Sequence, residues 1–399
     1  MRLLFISPKI PYPPIDGHRK SIYGVIKHLS LRGHQIDLVA YAQSEKIQDY
    51  KEIQKYCTLN ILNISTPNSI KGMLINLFSP RPYNLWKYEK SELIEFIQEY
   101  FLTNKPDIVQ ITNSHMGWIV DTIRKYSDSP VVLREENLEL MIMKRFYQSQ
   151  KNPIIRFYSY LQYKKLLKYE PELCSKMNLN IMISKNDEAE LLKLKSGVNS
   201  VTIPLGVDDH LFNLTKNKTE PCTLFHIGSL DWYPNLNGVN WFVDNVFGKV
   251  LEKFPQTKLY LYGGGNYESI TRLNEFNKNI VLKGFVKDIW QEINDKQLSI
   301  VPLRIGGGIR VKILELCAAG SAVISTSIGV EGIPLRDEKE ILVADDSTEF
   351  AQKIVNVFNG NYSLEAVTHN ARKVIRENYD WNIIAERFED EYIKLLGNR

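Results

Sequence analysis

Cysteine is scarce in this chain: Cys57, Cys174, Cys222 and Cys317 are the whole complement, far apart and without a CxxC pair. That argues against a disulfide framework and a cysteine-ligated structural metal, and favours a reducing compartment. Long hydrophobic runs are missing too, since none approaches the roughly 18–20 residues that span a bilayer. The opening stretch Met1–Ser7 leads into prolines and not into a signal-peptide core with a cleavage site, so a cytoplasmic location is expected. Charge of either sign is in small excess: 50 Lys and Arg against 46 Asp and Glu leave +4, far from the clustered basicity of a nucleic-acid binder. There is no GxSxG elbow, HExxH, Walker A or GxGxxG motif, which removes the main supports for serine hydrolase, zinc protease, P-loop NTPase and dinucleotide-fingerprint readings.

What is present is a chain of 399 residues, 44% hydrophobic and 24% charged, too long for one ordinary core and balanced like a globular protein of two domains. The charge is uneven. Residues 1–200 hold 28 basic and 20 acidic side chains (+8), and 201–399 hold 22 and 26 (−4). The two halves therefore meet different surfaces or ligands.

Short β-branched runs alternate with helical periodicity throughout, the pattern of parallel sheet with crossover helices. Strands are predicted at Leu3–Ser7, Ile36–Ala40, Ile108–Ile111, Val131–Leu133 and Ile181–Ser184. In the second half they fall at Thr223–Ile227, Lys258–Tyr262, Ile280–Lys283, Leu298–Leu303, Ala322–Ser325 and Ile341–Val343. The fold class is α/β, with two facing doubly wound, Rossmann-like sheets and a cleft between them. The boundary is placed in Val201–Asn213, where Pro204 and Gly206 break the pattern. The expected division is 1–203, 204–378, and a helix over 379–399 that returns to the first domain, with Ile384, Phe388, Tyr392 and Leu395 on its apolar stripe.

Ligands of doubly wound sheets bind beyond the carboxyl ends of the strands, so chemistry is sought in those loops. Pro8–Lys20 is stiffened by proline and reaches Gly17 at a helix start, where free N–H groups attract an anion. An ordinary proline-rich surface loop reads equally well. The strongest signal is Val301–Gly320: a strand, then Gly306, Gly307 and Gly308, then a helix carrying Arg310 and Lys312 in its first turn. Cations at that end of a helix are unfavourable unless an anion joins them, which points to phosphate. Glu315 lies on the same face as Lys312, placed to bind sugar hydroxyls. Gly228–Asn235, Lys283–Lys287 (with Gly284, Phe285 and Val286) and Gly329–Gly332 follow other strands and would share the cleft, although each alone is an ordinary turn. Among seven histidines His115 stands out, just past the strand Ile108–Ile111, where a catalytic or hydroxyl-binding group belongs, although a structural or merely exposed histidine reads equally well. His18, beside Gly17, is positioned for phosphate or acceptor.

These segments, in order, carry a likeness. PPIDGHRKSIYGVIKHLSLRGHQIDLV, IPLGVD, HIGSLDWYPN, LKGFVKD, PLRIGGGIRVKILELCAAGSAVISTSIGVEGI and the terminal YDW helix resemble the family 4 retaining glycosyltransferases of the GT-B fold, also described as glycosyl transferases group 1, over essentially the whole chain. The resemblance implies transfer of a sugar from a nucleotide-sugar donor, UDP- or GDP-type, to a glycan or lipid-linked acceptor in polysaccharide assembly, without cofactor or metal. It implies backbone contact to the donor diphosphate at Gly17, neutralisation of that diphosphate by Arg310 and Lys312, and ribose binding by Glu315. Gly284, Phe285 and Val286 would line the base pocket, Gly228, Gly307 and Gly308 would approach the donor, and His115 would stand near the transferred sugar. The family pattern pairs two glutamates with seven residues between them. Here Glu315 fills the second place and Gly307 the first, which implies altered sugar contacts. A lysine frequent in the GSL region is also replaced, by Asn235 or a neighbour, shifting phosphate binding onto Arg310 and Lys312.

Two alternatives stay open: a catalytically silent GT-B module that binds nucleotide sugar or a partner, and another GT-B enzyme such as a sucrose-forming synthase or phosphorylase. Separately, Lys144–Tyr169 holds seven basic residues, no acidic one and many aromatics. It reads as a basic amphipathic helix, packed on the first domain or resting on the anionic inner face of a membrane. No nucleic-acid partner is expected.

Overall fold

The computed structural model describes residues 1–42, 49–306 and 308–397. They form two compact units, Met1–Gly206 with Trp381–Arg399, and Val207–Asp380. The sheet of the first unit contains β1 (Arg2–Ser7), β2 (Gln35–Tyr41), β3 (Thr58–Leu62), β4 (Ile108–Thr112), β5 (Val131–Glu135), β6 (Leu179–Met182) and β7 (Ser200–Thr202) in the order β3-β2-β1-β4-β5-β6-β7. All neighbours are parallel, with Leu3 of β1 opposite Ile36 on one side and Ile108 on the other. β4 and β5 are buried along their whole length, including the polar side chains of Gln110, Thr112, Arg134 and Glu135. β3 and β7 are half-exposed edge strands with weak patterns, which is why sequence periodicity passes over them.

In the second unit β8 (Glu220–Ile227), β9 (Lys258–Tyr262), β10 (Ile280–Gly284), β11 (Lys296–Val301), β12 (Val323–Ser325) and β13 (Leu342–Val343) are ordered β10-β9-β8-β11-β12-β13, again all parallel. In both sheets the order reverses beside the first strand, between β1 and β4 and between β8 and β11. Those are the switch points where loops splay apart and ligands bind.

The final helix, Trp381–Gly397, belongs to the first unit, and Ile384, Phe388 and Tyr392 are buried there. Trp381 stacks on His28 of the helix Gly17–Leu31, with ring centroids 5.4 Å apart. Gly24 and Gly206 make room for it: a Cβ on either would lie 2.0 Å or 2.3 Å from the indole. Beneath the helix the guanidinium of fully buried Arg134 lies 4.8 Å from the Phe388 ring centroid and donates to Ser21 Oγ, Ile203 O and Pro204 O.

The basic stretch 144–169 is not one helix. Glu139–Ser149 and Pro153–Ser175 are separate helices, because Asn152 accepts from the amides of Ile154 and Ile155 and Pro153 opens a new first turn. Among the described residues no helix is long and apolar enough to cross a membrane.

Candidate functional site: loops at the two switch points

In the second unit the loops after β8 and β11 converge. β11 leads through the glycine-rich turn into the helix Val311–Ala318, whose N-cap is Arg310 and whose first turn holds no acidic residue. Lys312 reaches back to the end of β8, donating to Ile227 O at 2.7 Å and to Asn235 Oδ1 at 2.8 Å. Asn235 in turn donates to Ser229 O at 2.8 Å, so its amide serves as a clamp for Lys312. Gly228 has φ of +151° and cannot carry a side chain unchanged, since a Cβ would lie 2.4 Å from Asn235 Nδ2 and 2.8 Å from Lys312 Nζ. Burial, with the nearby charge of Arg310 second, pushes the Lys312 ammonium down to about 7. Arg310 folds over the loop and donates to Gly308 O at 2.6 Å. These are two cations at a helix N-terminus, and among the described residues Lys312 makes no ion pair, so the site is complementary to a strong anion.

Around it, Gly284 sits at φ +70° and turns the chain at the end of β10, leaving the Phe285 ring 85% exposed and free to stack on a flat ligand. Val286 packs back on the core. Glu315 lies one turn along the helix from Lys312. Gly307, assigned to the donor site from sequence, lies outside the described residues. Gly329 hydrogen-bonds to the Thr326 hydroxyl in a short turn after β12.

In the first unit the corresponding loops follow β1 and β4. Gly17 begins the helix capped by Asp16, whose carboxylate accepts from the Arg19 amide and from Lys9. His115 lies in the turn after β4, its Nδ1 hydrogen-bonded to Asn113 Oδ1 and its ring 4.8 Å from that of Tyr88. Burial first, then the charges of His18, Lys87 and Lys9, push its pKa down to about 3, so it is neutral at pH 7. Gly17 and His115 are thus in one unit, and Gly228, Gly284, Phe285, Val286, Gly308, Arg310, Lys312 and Glu315 in the other.

Sequence reasoning missed the carboxylates behind His115. Glu136 and Glu139 follow β5, Glu139 accepting from Asn84 Nδ2 at 2.8 Å and standing 4.0 Å from His115 Nε2. The run REENLE at a strand end was the available signal. Among the described residues no group of three or more His, Cys, Asp or Glu is placed to hold a metal.

Residues 221–359 match the family described as glycosyl transferases group 1. A Klebsiella pneumoniae protein named as an uncharacterized 44.6 kDa protein in the cps region is 22% identical over 95% of this chain and 96% of its own. A sucrose-phosphate synthase from Thermosynechococcus elongatus superposes with a TM-score of 0.74 at 16% identity, covering 100% of both chains. HepE of Anabaena, solved in complex with UDP, gives 0.69 at 14% identity over 99% of this chain and 100% of that one. The chain has the GT-B architecture, two parallel-sheet Rossmann-like domains, and is a glycosyltransferase enzyme.

Proposed function

We propose that the enzyme transfers a sugar from a nucleotide-sugar donor, with retention of configuration, to a glycan or lipid-linked acceptor in cell-surface polysaccharide assembly. The observation that carries this is Lys312, a buried cation held by Ile227 O and Asn235 beside Arg310 at a helix N-terminus. A diphosphate leaving group is the kind of anion that such a helix terminus favours. As the glycosidic bond breaks, negative charge grows on the diphosphate, and preorganised amides and cations stabilise it more than they do the intact donor. Phe285 is free to stack on the base and Glu315 is placed for the ribose. The acceptor hydroxyl attacks from the face the phosphate leaves and gives its proton to a phosphate oxygen, so no carboxylate nucleophile is required. The UDP bound by the Anabaena neighbour and the cps region of the Klebsiella relative support this reading. A panel of UDP- and GDP-sugars tests it: one donor is expected to bind and to be slowly hydrolysed without acceptor. If none binds or turns over, the transferase reading fails.

A second observation favours work at the anionic inner face of a membrane. The short helix Ile70–Asn76 is tied to the long Pro153–Ser175 helix, since Gln162 and Lys165 both donate to Asn76. These two helices and the turn that follows the first expose Ile70, Leu74, Ile75, Phe78, Ile154 and Phe157, with Phe78 94% exposed. Lys71, Arg156, Lys164 and Lys168 belong to the same two helices. Apolar insertion plus about 1 kcal/mol per basic residue near anionic headgroups gives reversible docking. The protein is expected to co-sediment with phosphatidylglycerol vesicles and not with phosphatidylcholine, less at 0.5 M salt and less still as Phe78→Ser/Phe157→Ser. No sedimentation of the unmodified protein at low salt overturns this.

A further inference from the structure

We propose that a cavity at the amino ends of the second unit's strands, built around Lys216 and Arg372, binds a small phosphate monoester. It is separate from the donor site and does not rest on the transferase reading.

The cavity has a volume of about 530 Å3 and lies between the segment 212–219, the starts of β8, β11 and β12, and the helix Leu364–Tyr379. Lys312 bonds to Ile227 O at the other end of β8, so eight residues of strand, on the order of 25 Å, separate it from the end that borders this cavity. Glu365, Thr368, His369 and Arg372 recur at helical spacing and line the cavity from one face of their helix. Arg372 is seated against Gly320, where φ is +73° and a Cβ would lie 2.6 Å from the guanidinium Nη2. It donates to Leu214 O at 3.1 Å, while its Nε is covered and has no hydrogen-bond partner. Lys216 donates to Lys296 O at 3.1 Å.

Among the described residues neither Lys216 nor Arg372 makes an ion pair. Arg372 is close enough for its charge to act on Lys216: burial, opposed by Asp295 and assisted by Arg372, pushes the Lys216 ammonium down to about 8. Arg376 adds a further positive charge beside Arg372. The carboxylates nearby do not cancel these charges. Asp295 is bound to Lys296 at 3.0 Å, and Glu365 is exposed and pairs with neither cation. Two half-buried cations held together without a counter-charge favour an anion between them.

The chemistry of the walls says which anion. A guanidinium with donors to spare beside an ammonium matches the several oxygens of a phosphate. Inorganic phosphate alone would leave most of the cavity empty. The remaining surface mixes Phe212 and Leu364 with Thr215, Thr219 and Gln297, suited to the carbon skeleton and hydroxyl groups of an ester.

The test uses the full chain with saturating UDP, so that the donor site is filled, and titrates glucose 1-phosphate, glucose 6-phosphate, glycerol 3-phosphate and AMP by ligand-observed NMR. Inorganic phosphate and methyl glucoside are the comparison probes. At least one ester is expected to bind saturably, inorganic phosphate at least tenfold more weakly, and methyl glucoside not at all. Lys216→Gln and Arg372→Gln are each expected to weaken ester binding at least tenfold while UDP affinity stays within threefold and the melting transition is kept. The two substitutions lie on different segments, so if one variant misfolds the other still reads the site. No ester bound by the unmodified protein, inorganic phosphate or methyl glucoside bound as tightly as every ester, or a folded variant with full ester affinity overturns the proposal. Loss of UDP binding by the unmodified protein bears on the donor site instead and leaves this one to be judged by the two variants.

Discussion

Lys312→Met is expected to lower kcat/KM for the nucleotide-sugar donor by about 100- to 1000-fold, the scale at which one preorganised group facing developing negative charge contributes to catalysis. Methionine fills similar space, loses the bonds to Ile227 O and Asn235 Oδ1, and removes a cation whose burial is itself unfavourable. Those terms oppose each other, so the melting temperature should move by only a few degrees, a degree or two per few tenths of a kcal/mol in a unit of this size. Activity lost with the fold kept is the signature sought; activity within threefold of the unmodified protein would remove Lys312 from the donor site. The same residue sets a pH dependence. Its free-state pKa is about 7, and a bound diphosphate raises it. Donor affinity is therefore full below pH 7 and falls as pH rises above it, by up to tenfold per unit, until the pKa of the bound state is reached. Calorimetry in buffers of different ionisation enthalpy should show proton uptake on UDP binding near pH 8, and none near pH 5.5. Lys312→Met should abolish that uptake.

Trp381→Ala is expected to cost about 3–5 kcal/mol, the usual range for emptying a buried tryptophan site. The indole fills a slot cleared by Gly24 and Gly206 and stacked on His28, and a small residue leaves that slot open. The first calorimetric transition should drop by roughly 10 °C. Filling the slot from the other side should do comparable harm: with Gly24→Ala a Cβ 2.0 Å from Trp381 must displace the ring. If both variants melt with the unmodified protein, the final helix contributes little to the first unit.

Much of this was legible in the chain itself. The run Leu3–Ile6 of β1 is apolar without a break because a central parallel strand is covered on both faces, and the glycine turn before Arg310 and Lys312 is the chemistry from which an anion site is read. Edge strands β3 and β7 left no comparable pattern, being half wet. The break at Asn152–Pro153 was written in a capping residue followed by proline, but the density of Lys and aromatics across it read as one helix. Asn235 and Glu139 were illegible for a different reason. Each acts through a partner distant in sequence, Lys312 for one and Asn84 and His115 for the other, and only the fold brings those partners together.

The chain passes from the first unit to the second at Gly206–Val207 and returns at Asp380–Trp381, so the second unit is continuous in sequence and the first is not. During synthesis the order of completion is thereby reversed. Residues 207–380 can close their own core as soon as they leave the ribosome. The segment made first must wait, its groove over Arg134 and Gln110 uncovered, until Phe388 and Tyr392 of the last helix emerge to fill it. A chain stopped at residue 380 would thus keep a finished second unit joined to a first that cannot close, and the nascent protein depends on Trp381–Gly397 to hide the core it began with.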